Sequence, residues 1–207
     1  MSTNLPSVGI LASGRGSNCE AILQAIAEGT LAAQANLILS DNPKAGVLEL
    51  GSKFNVPARY LDPGRPRARL TPDCEPRYAR ALQEADVEWV ILAGFMRILS
   101  KDFLSQFPDR VVNIHPSLLP SFPGLDGVGQ AFAHGVKVTG CTVHFVDAGM
   151  DTGPIIHQKA IDVLPGDTEA SLRKRLLTHE HRTYVEALQI LMSKRYDRQG
   201  RRVVIHS

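Results

Sequence analysis

The stretch Val8-Gly9-Ile10-Leu11-Ala12-Ser13-Gly14-Arg15-Gly16-Ser17-Asn18 decides the fold. Val8 to Ala12 is a short, mostly apolar run and reads as a strand. Ser13 to Asn18 is a glycine-rich turn. Cys19 to Glu28 then carries Ile22, Leu23 and Ile26 at helical spacing. Strand, tight turn and helix in that order open a βαβ unit. Glycines let the backbone turn sharply and approach a ligand without a Cβ in the way. The helix start behind them offers free N–H groups and a partial positive charge. That seat suits a phosphate. It is neither the dinucleotide fingerprint nor the Walker sequence, which needs a Lys after the second glycine. A plain tight turn with Ser17 or Asn18 as helix cap accounts for the same residues, and this stretch alone does not separate the two.

The alternation continues outward. Strands are predicted at Ala35–Ser40, Ala58–Leu61, Trp89–Ala93 and Val111–Ile114, with helices at Gly46–Phe54, Arg77–Ala85 and Lys101–Phe107, the last capped by Ser100. Trp89–Ala93 is wholly apolar, as a central parallel strand is. Asp62 to Pro76 carries four prolines and several arginines and reads as a surface loop. Past Pro116 the pattern changes. Leu118–Gly129 is loop-rich and Gln130–His134 is a short helix. Thr139–Val146 and Pro154–Val163 are expected to pair antiparallel around Asp147-Ala148-Gly149-Met150-Asp151-Thr152-Gly153. Asp167 or Thr168 opens a long helix with Leu172, Leu176, Val185, Leu188 and Leu191 at helical spacing. The polar tail from Asp197 ends in a last strand.

The predicted class is therefore α/β: an open, mostly parallel twisted sheet with helices on both faces and a Rossmann-like N-terminal half. Antiparallel strands are added in the C-terminal half. One domain is expected over residues 1–207, with a phosphate-binding βα half to about residue 110 and a catalytic half beyond it.

Composition narrows the function. The 207 residues are 43% hydrophobic and 21% charged, with a formal net charge of +2. That charge is too small and too dispersed to point to nucleic acid. No apolar run spans a bilayer, and the N-terminus lacks the pattern of a secretory signal. Cys19, Cys74 and Cys141 are odd in number and form no CxxC pair, so three inert thiols in a reducing cytoplasm are expected. No metal-ligand spacing is visible, and no metal is expected.

Two further stretches carry chemistry. In Val112-Asn113-Ile114-His115-Pro116-Ser117, strand alternation puts Asn113 and His115 on one side. They stand at the end of a parallel strand, where open α/β sheets place their ligands. Pro116 holds His115 extended. An amide donor beside an imidazole suits a developing oxyanion and a moving proton. The bland alternative is a strand-end His bonded to a backbone carbonyl. In the Asp147–Gly153 loop, turn-stabilising Asx bonds account for Asp147. Asp151 is the better candidate for acid–base work.

Leu92 to Ser100 (LAGFMRILS), Asn113 to Gly124 (NIHPSLLPSFPG) and Thr142 to Ile156 (TVHFVDAGMDTGPII), with the SGRGSN turn, resemble the folate-dependent phosphoribosylglycinamide formyltransferase family across nearly the whole chain. The resemblance implies a metal-independent transfer of the formyl group of 10-formyltetrahydrofolate, a co-substrate, to the amine of glycinamide ribonucleotide in purine synthesis. It implies catalytic Asn113, His115 and Asp151. It implies ribonucleotide contacts at Gly16, Ser17, Asn18 and Glu180, and folate contacts at Met96, Arg97, Ile98, Leu99 and Asp147. Small-molecule substrates, no nucleic acid or membrane, a cytoplasmic location, and a monomer or homodimer are expected. Two departures stand out. Leu125-Asp126-Gly127-Val128-Gly129 replaces a His-containing loop of some members. The folate-contacting Arg expected before the Tyr78 helix falls in a rearranged segment, where Arg69 or Arg77 is the candidate. A methionyl-tRNA formyltransferase and a formylfolate hydrolase share the NxHPS core, but each is expected to carry an extra domain for which 207 residues leave no room. A nucleotide-binding module without chemistry explains the glycine turn but not Asn113, His115 and Asp151.

Overall fold

The opening apolar run folds as β1 (Ser7–Ala12), buried along its length, in a computed structural model that describes residues 5–65 and 68–206. Pro66 and Arg67, inside the expected proline-rich loop, lie outside the described residues. The chain divides into two compact units, Met1–Val112 and Asn113–Ser207.

The first unit contains β1, α1 (Ser17–Ala27), β2 (Gln34–Ser40), α2 (Glu49–Phe54) and β3 (Ala58–Tyr60). It continues through α3 (Glu75–Glu84), β4 (Trp89–Leu92) and α4 (Lys101–Gln106). Its strands run β3-β2-β1-β4. β1 pairs in parallel with β2 and with β4, and β2 with β3. Val8 stands opposite Ala35 on one side and Trp89 on the other. The fully apolar β4 is buried at every position, as a parallel strand covered on both faces must be. Ile10, Leu11, Ile38, Leu39, Ile91 and Tyr78 are all essentially inaccessible.

Several boundaries differ from the expectation. Neither Ser17 nor Asn18 caps α1: its N-cap is Gly16, left-handed at φ +83, with no side-chain cap bond. Gly46–Leu48 forms a tight 3₁₀ turn ahead of α2. α3 begins at Glu75, because Pro76 lacks an N–H that the first helical turn does not need. The Ser100 cap is as predicted: its Oγ accepts from the Phe103 N–H at 3.1 Å and donates to the Glu75 carboxylate.

β5 (Val111–His115) crosses the boundary between the units. The second unit continues with α5 (Gly127–Ala133), β6 (Val138–Phe145), β7 (Ile155–Asp162), α6 (Glu169–Met192), β8 (Tyr196–Gln199) and β9 (Arg202–Ile205). The strands run β5-β6-β7-β9-β8. β6 and β7 are antiparallel partners, as expected. α5 begins three residues before the predicted Gln130, because Asp126 caps it through the Gly129 N–H. Thr168 caps α6 in a capping box with Ser171. Leu172, Leu176, Leu188 and Leu191 form its buried face. The polar tail makes a hairpin of β8 and β9 rather than a single strand. The α/β class, the mostly parallel sheet and the antiparallel additions are those predicted.

Candidate active site

Asn113 and His115 stand two residues apart at the end of β5, so the pleat puts them on one side. His115 is 4% exposed. Its Nε2 lies 2.8 Å from the Phe122 carbonyl oxygen, which only accepts, so Nε2 carries a proton. Its Nδ1 lies 3.3 Å from Oδ2 of Asp151. The ring thus faces an acceptor at each nitrogen. The carbonyl bond of the bland reading is present, and a carboxylate stands on the other side.

Asp151 sits in the loop between β6 and β7 with φ +54, a region that Asp and Asn enter more readily than most residues. Its side chain is 14% exposed. Oδ2 also accepts the Gly124 N–H at 2.8 Å. Burial pushes this carboxyl up. The hydrogen bond from His144, the Gly124 N–H and the charges of His115 and His144 together outweigh it and hold the group below its ordinary value.

His144, which the sequence reading passed over, completes the cluster. Its Nε2 lies 3.6 Å from Oδ1 of Asp151 and 3.3 Å from Nδ2 of Asn113. Its Nδ1 faces the Phe145 carbonyl oxygen at 2.8 Å and therefore carries a proton. As a lone pair Nε2 accepts from the Asn113 amide, with Oδ1 of Asp151 beside it. A register shift in the β6–β7 pairing falls between Val143 and His144, and such bulges re-aim a side chain.

Asp147 behaves differently. Its Oδ1 accepts from the Gly149 N–H at 3.1 Å and from Thr152 Oγ1 at 2.6 Å, which is an Asx-type turn closure. The Leu125–Gly129 loop is tied down rather than open, with Asp126 paired to Arg173 at 2.6 Å. Glu180 lies half-buried within α6.

In the first unit, Gly16, Ser17 and Asn18 form the start of α1, where no side chain caps the helix. A Cβ on Gly16 would stand 2.6 Å from Val47 Cγ2, so that glycine is required for packing as well as for its positive φ. Ser13 joins this turn to the segment after β4: its N–H donates to the Gly94 carbonyl, and its Oγ accepts from the Met96 N–H. Within that segment Met96 is 61% exposed and Leu99 is buried in the core. Arg97 makes a buried ion pair with Asp41 at 2.6 Å. Ile98 forms a parallel β-bridge with Arg69. Of the two candidate arginines, Arg69 therefore lies beside Met96–Leu99, whereas Arg77 stands exposed on α3. The three cysteines are buried free thiols, and burial pushes Cys19 up to about 12 and Cys141 up to about 11. No helix among the described residues is long and apolar enough to cross a membrane.

Comparison with known proteins bears on this arrangement. The family model described as formyl transferase matches residues 7–188. The phosphoribosylglycinamide formyltransferase of Bacillus subtilis is 42% identical over 183 residues, covering 88% of this chain and 93% of that protein. The trifunctional purine biosynthetic protein adenosine-3 of Drosophila pseudoobscura pseudoobscura is 44% identical over 188 residues, and the match covers 90% of this chain but 14% of that much longer protein. The crystal structure of glycinamide ribonucleotide transformylase 1 from Symbiobacterium toebii superimposes with a TM-score of 0.93 at 44% identity, over 100% of this chain and 96% of that one.

Proposed function

The chain belongs to the formyl transferase family, and from that premise we propose that it transfers the formyl group of 10-formyltetrahydrofolate to the primary amine of glycinamide ribonucleotide, in purine synthesis. The observation that carries the chemistry is the meeting of Asn113, His115, His144 and Asp151 in one largely buried cluster.

The amine attacks the formyl carbon, and a tetrahedral intermediate forms with a negative oxygen and a surplus proton on the attacking nitrogen. A new C–N bond replaces the bond to folate N10, and the proton passes to N10 as it leaves. The N–H of Asn113 not directed at His144 and the adjoining His115 ring stabilise the oxygen. Asp151 sets its carboxylate against His115 Nδ1. His144, whose Nε2 exchanges partners between Asn113 and Asp151, is suited to hold the proton on its way. Gly16, Ser17 and Asn18 seat the substrate phosphate on the start of α1, and Glu180 holds the ribose. Met96–Leu99 receive folate, with Arg69 beside them for its carboxylate. Asp147 shapes the loop next to Asp151.

The test is to mix the protein with 10-formyltetrahydrofolate and follow tetrahydrofolate release with and without glycinamide ribonucleotide. Release that depends on the ribonucleotide is expected. Release at the same rate without it would make the protein a hydrolase, and no release in either case would overturn the reading.

A further inference from the structure

The loop from β5 to α5 touches the cluster through its backbone. The Phe122 carbonyl faces His115 Nε2 at 2.8 Å, and the Gly124 N–H donates to Asp151 Oδ2 at 2.8 Å. The carbonyls of the alternate residues, Pro123 and Leu125, both accept from one side-chain nitrogen, Nε2 of Gln130 on α5, at 3.3 and 2.7 Å. Both partners only accept, so the amide nitrogen and not its oxygen faces them. Four successive residues are thus shared in turn between the cluster and Gln130.

The segment needs such a hold. Phe122 has φ +55 and Gly124 φ +82. A bulky side chain in the left-handed region is strained, and that conformation persists only where its surroundings over-determine it. α5 supplies those surroundings. The Phe122 ring lies against the ring of His134, the C-cap of the helix, with centroids 5.1 Å apart. At the other end a Cβ on Gly127 would stand 3.0 Å from His115 Nε2, so α5 starts directly against the imidazole. Its cap Asp126 pairs with Arg173 on α6, but both partners are about half exposed, and such a pair contributes little by itself. Gln130 makes the bonds that reach the loop residues touching the cluster.

We propose that Gln130 is a positioning residue for formyl transfer: through Pro123 and Leu125 it sets the Phe122 carbonyl on His115 and the Gly124 N–H on Asp151. The inference rests on the roles given to His115 and Asp151 above.

The experiment compares the unaltered protein with Gln130→Met and Gln130→Glu, which keep the side-chain length and remove the donors, and with Gln130→Lys, whose ammonium is able to donate to both carbonyls. The KM and kcat are measured for both substrates. The ring nitrogens of His115 are followed by NMR on histidine-labelled protein without substrates, their signals assigned by their loss in His115→Ala. The donor-free variants should keep both KM values within about twofold and lose about tenfold in kcat, a modest part of what a misplaced catalytic group costs. Their His115 Nε2 signal should move towards that of a ring in water. Gln130→Lys should restore most of the turnover and of the signal. A lowered melting temperature with unmoved ring signals and near-normal kcat in the donor-free variants would make Gln130 a structural residue only and overturn the proposal. Equal losses in Gln130→Lys would overturn it as well. Ring signals that move while the unaltered protein transfers no formyl group would fault the proposed function and leave the positioning of His115 standing. Formyl transfer that is indifferent to the donors would fault the positioning alone.

Discussion

Replacing Asp151 by Asn removes one charge and little else. Asn has the same shape, and it tolerates the left-handed backbone at φ +54. Its carbonyl oxygen is able to keep the 2.8 Å bond from the Gly124 N–H. What is lost is the carboxylate 3.3 Å from His115 Nδ1 and 3.6 Å from His144 Nε2. Two unit charges at that distance interact by about 5 kcal/mol at an effective dielectric of about 20, which sets a ceiling. Hydrogen bonds to charged groups are worth about 1.5–3 kcal/mol net. Turnover should therefore fall about ten- to a hundredfold. The pH dependence should also move, because the carboxyl of Asp151, held below its ordinary value, no longer titrates within the cluster. Asp147→Asn serves as the control. The two donors on Asp147 Oδ1, from Gly149 and Thr152, are met equally well by an amide oxygen, so its turnover should stay within about twofold of the unaltered protein. The assay is steady-state formyl transfer from pH 5 to 9 for both variants, with melting curves to confirm folding. Crippled Asp147→Asn beside near-normal Asp151→Asn would refute the reasoning and exchange the two roles.

Other outcomes follow from the same geometry. His144→Gln should lower turnover about tenfold or more while leaving the KM for folate nearly unchanged, since a side-chain amide cannot accept and release the proton; steady-state kinetics in both substrates checks this. Gly16→Val should lower the melting temperature, by a stability loss of about 1–3 kcal/mol, because its Cβ meets Val47 at 2.6 Å and its φ is +83. Thermal denaturation then distinguishes this packing defect from a pure rise in the ribonucleotide KM. Since the folded-state carboxyl of Asp151 is held low, it contributes stability above the ordinary carboxylate range that is lost as pH falls through the lowered value. Asp151→Asn should therefore flatten the fall in melting temperature below about pH 4, measured by calorimetry.

The strand–turn–helix opening was legible because an apolar run, two glycines and a helical period each carry a local signal. β4 and the antiparallel β6–β7 pair were legible for the same reason. Helix starts were misjudged where a residue has two meanings. Pro76 marks a loop as readily as a first helical turn, and Gly127 and Gly129 looked like loop residues until Asp126 was seen to cap them. The β8–β9 hairpin was half missed because Tyr196–Gln199 is polar and largely exposed, with no alternation to show it. Asn113, His115 and Asp151 were picked out as candidates by residue type and position, and the structure brings their side chains together. His144 was missed because a His inside a buried apolar strand reads as core, and only the register shift before it and the meeting with Asp151 give it another meaning. Arg69 and Arg77 were equivalent in sequence, and only the long-range bridge to Ile98 separates them.

The central claim, that formyl passes to the ribonucleotide amine over the Asn113–His115–His144–Asp151 cluster, is tested most directly by following the formyl carbon. Supply 10-formyltetrahydrofolate labelled at that carbon together with glycinamide ribonucleotide, and locate the label by mass spectrometry for the unaltered protein and for His115→Ala. The label should appear on the ribonucleotide amine with the unaltered protein. It should appear at least about a hundredfold more slowly with the folded variant, the scale of losing a stabiliser of the oxyanion. Label released as formate, or transfer undiminished in His115→Ala, would contradict the account.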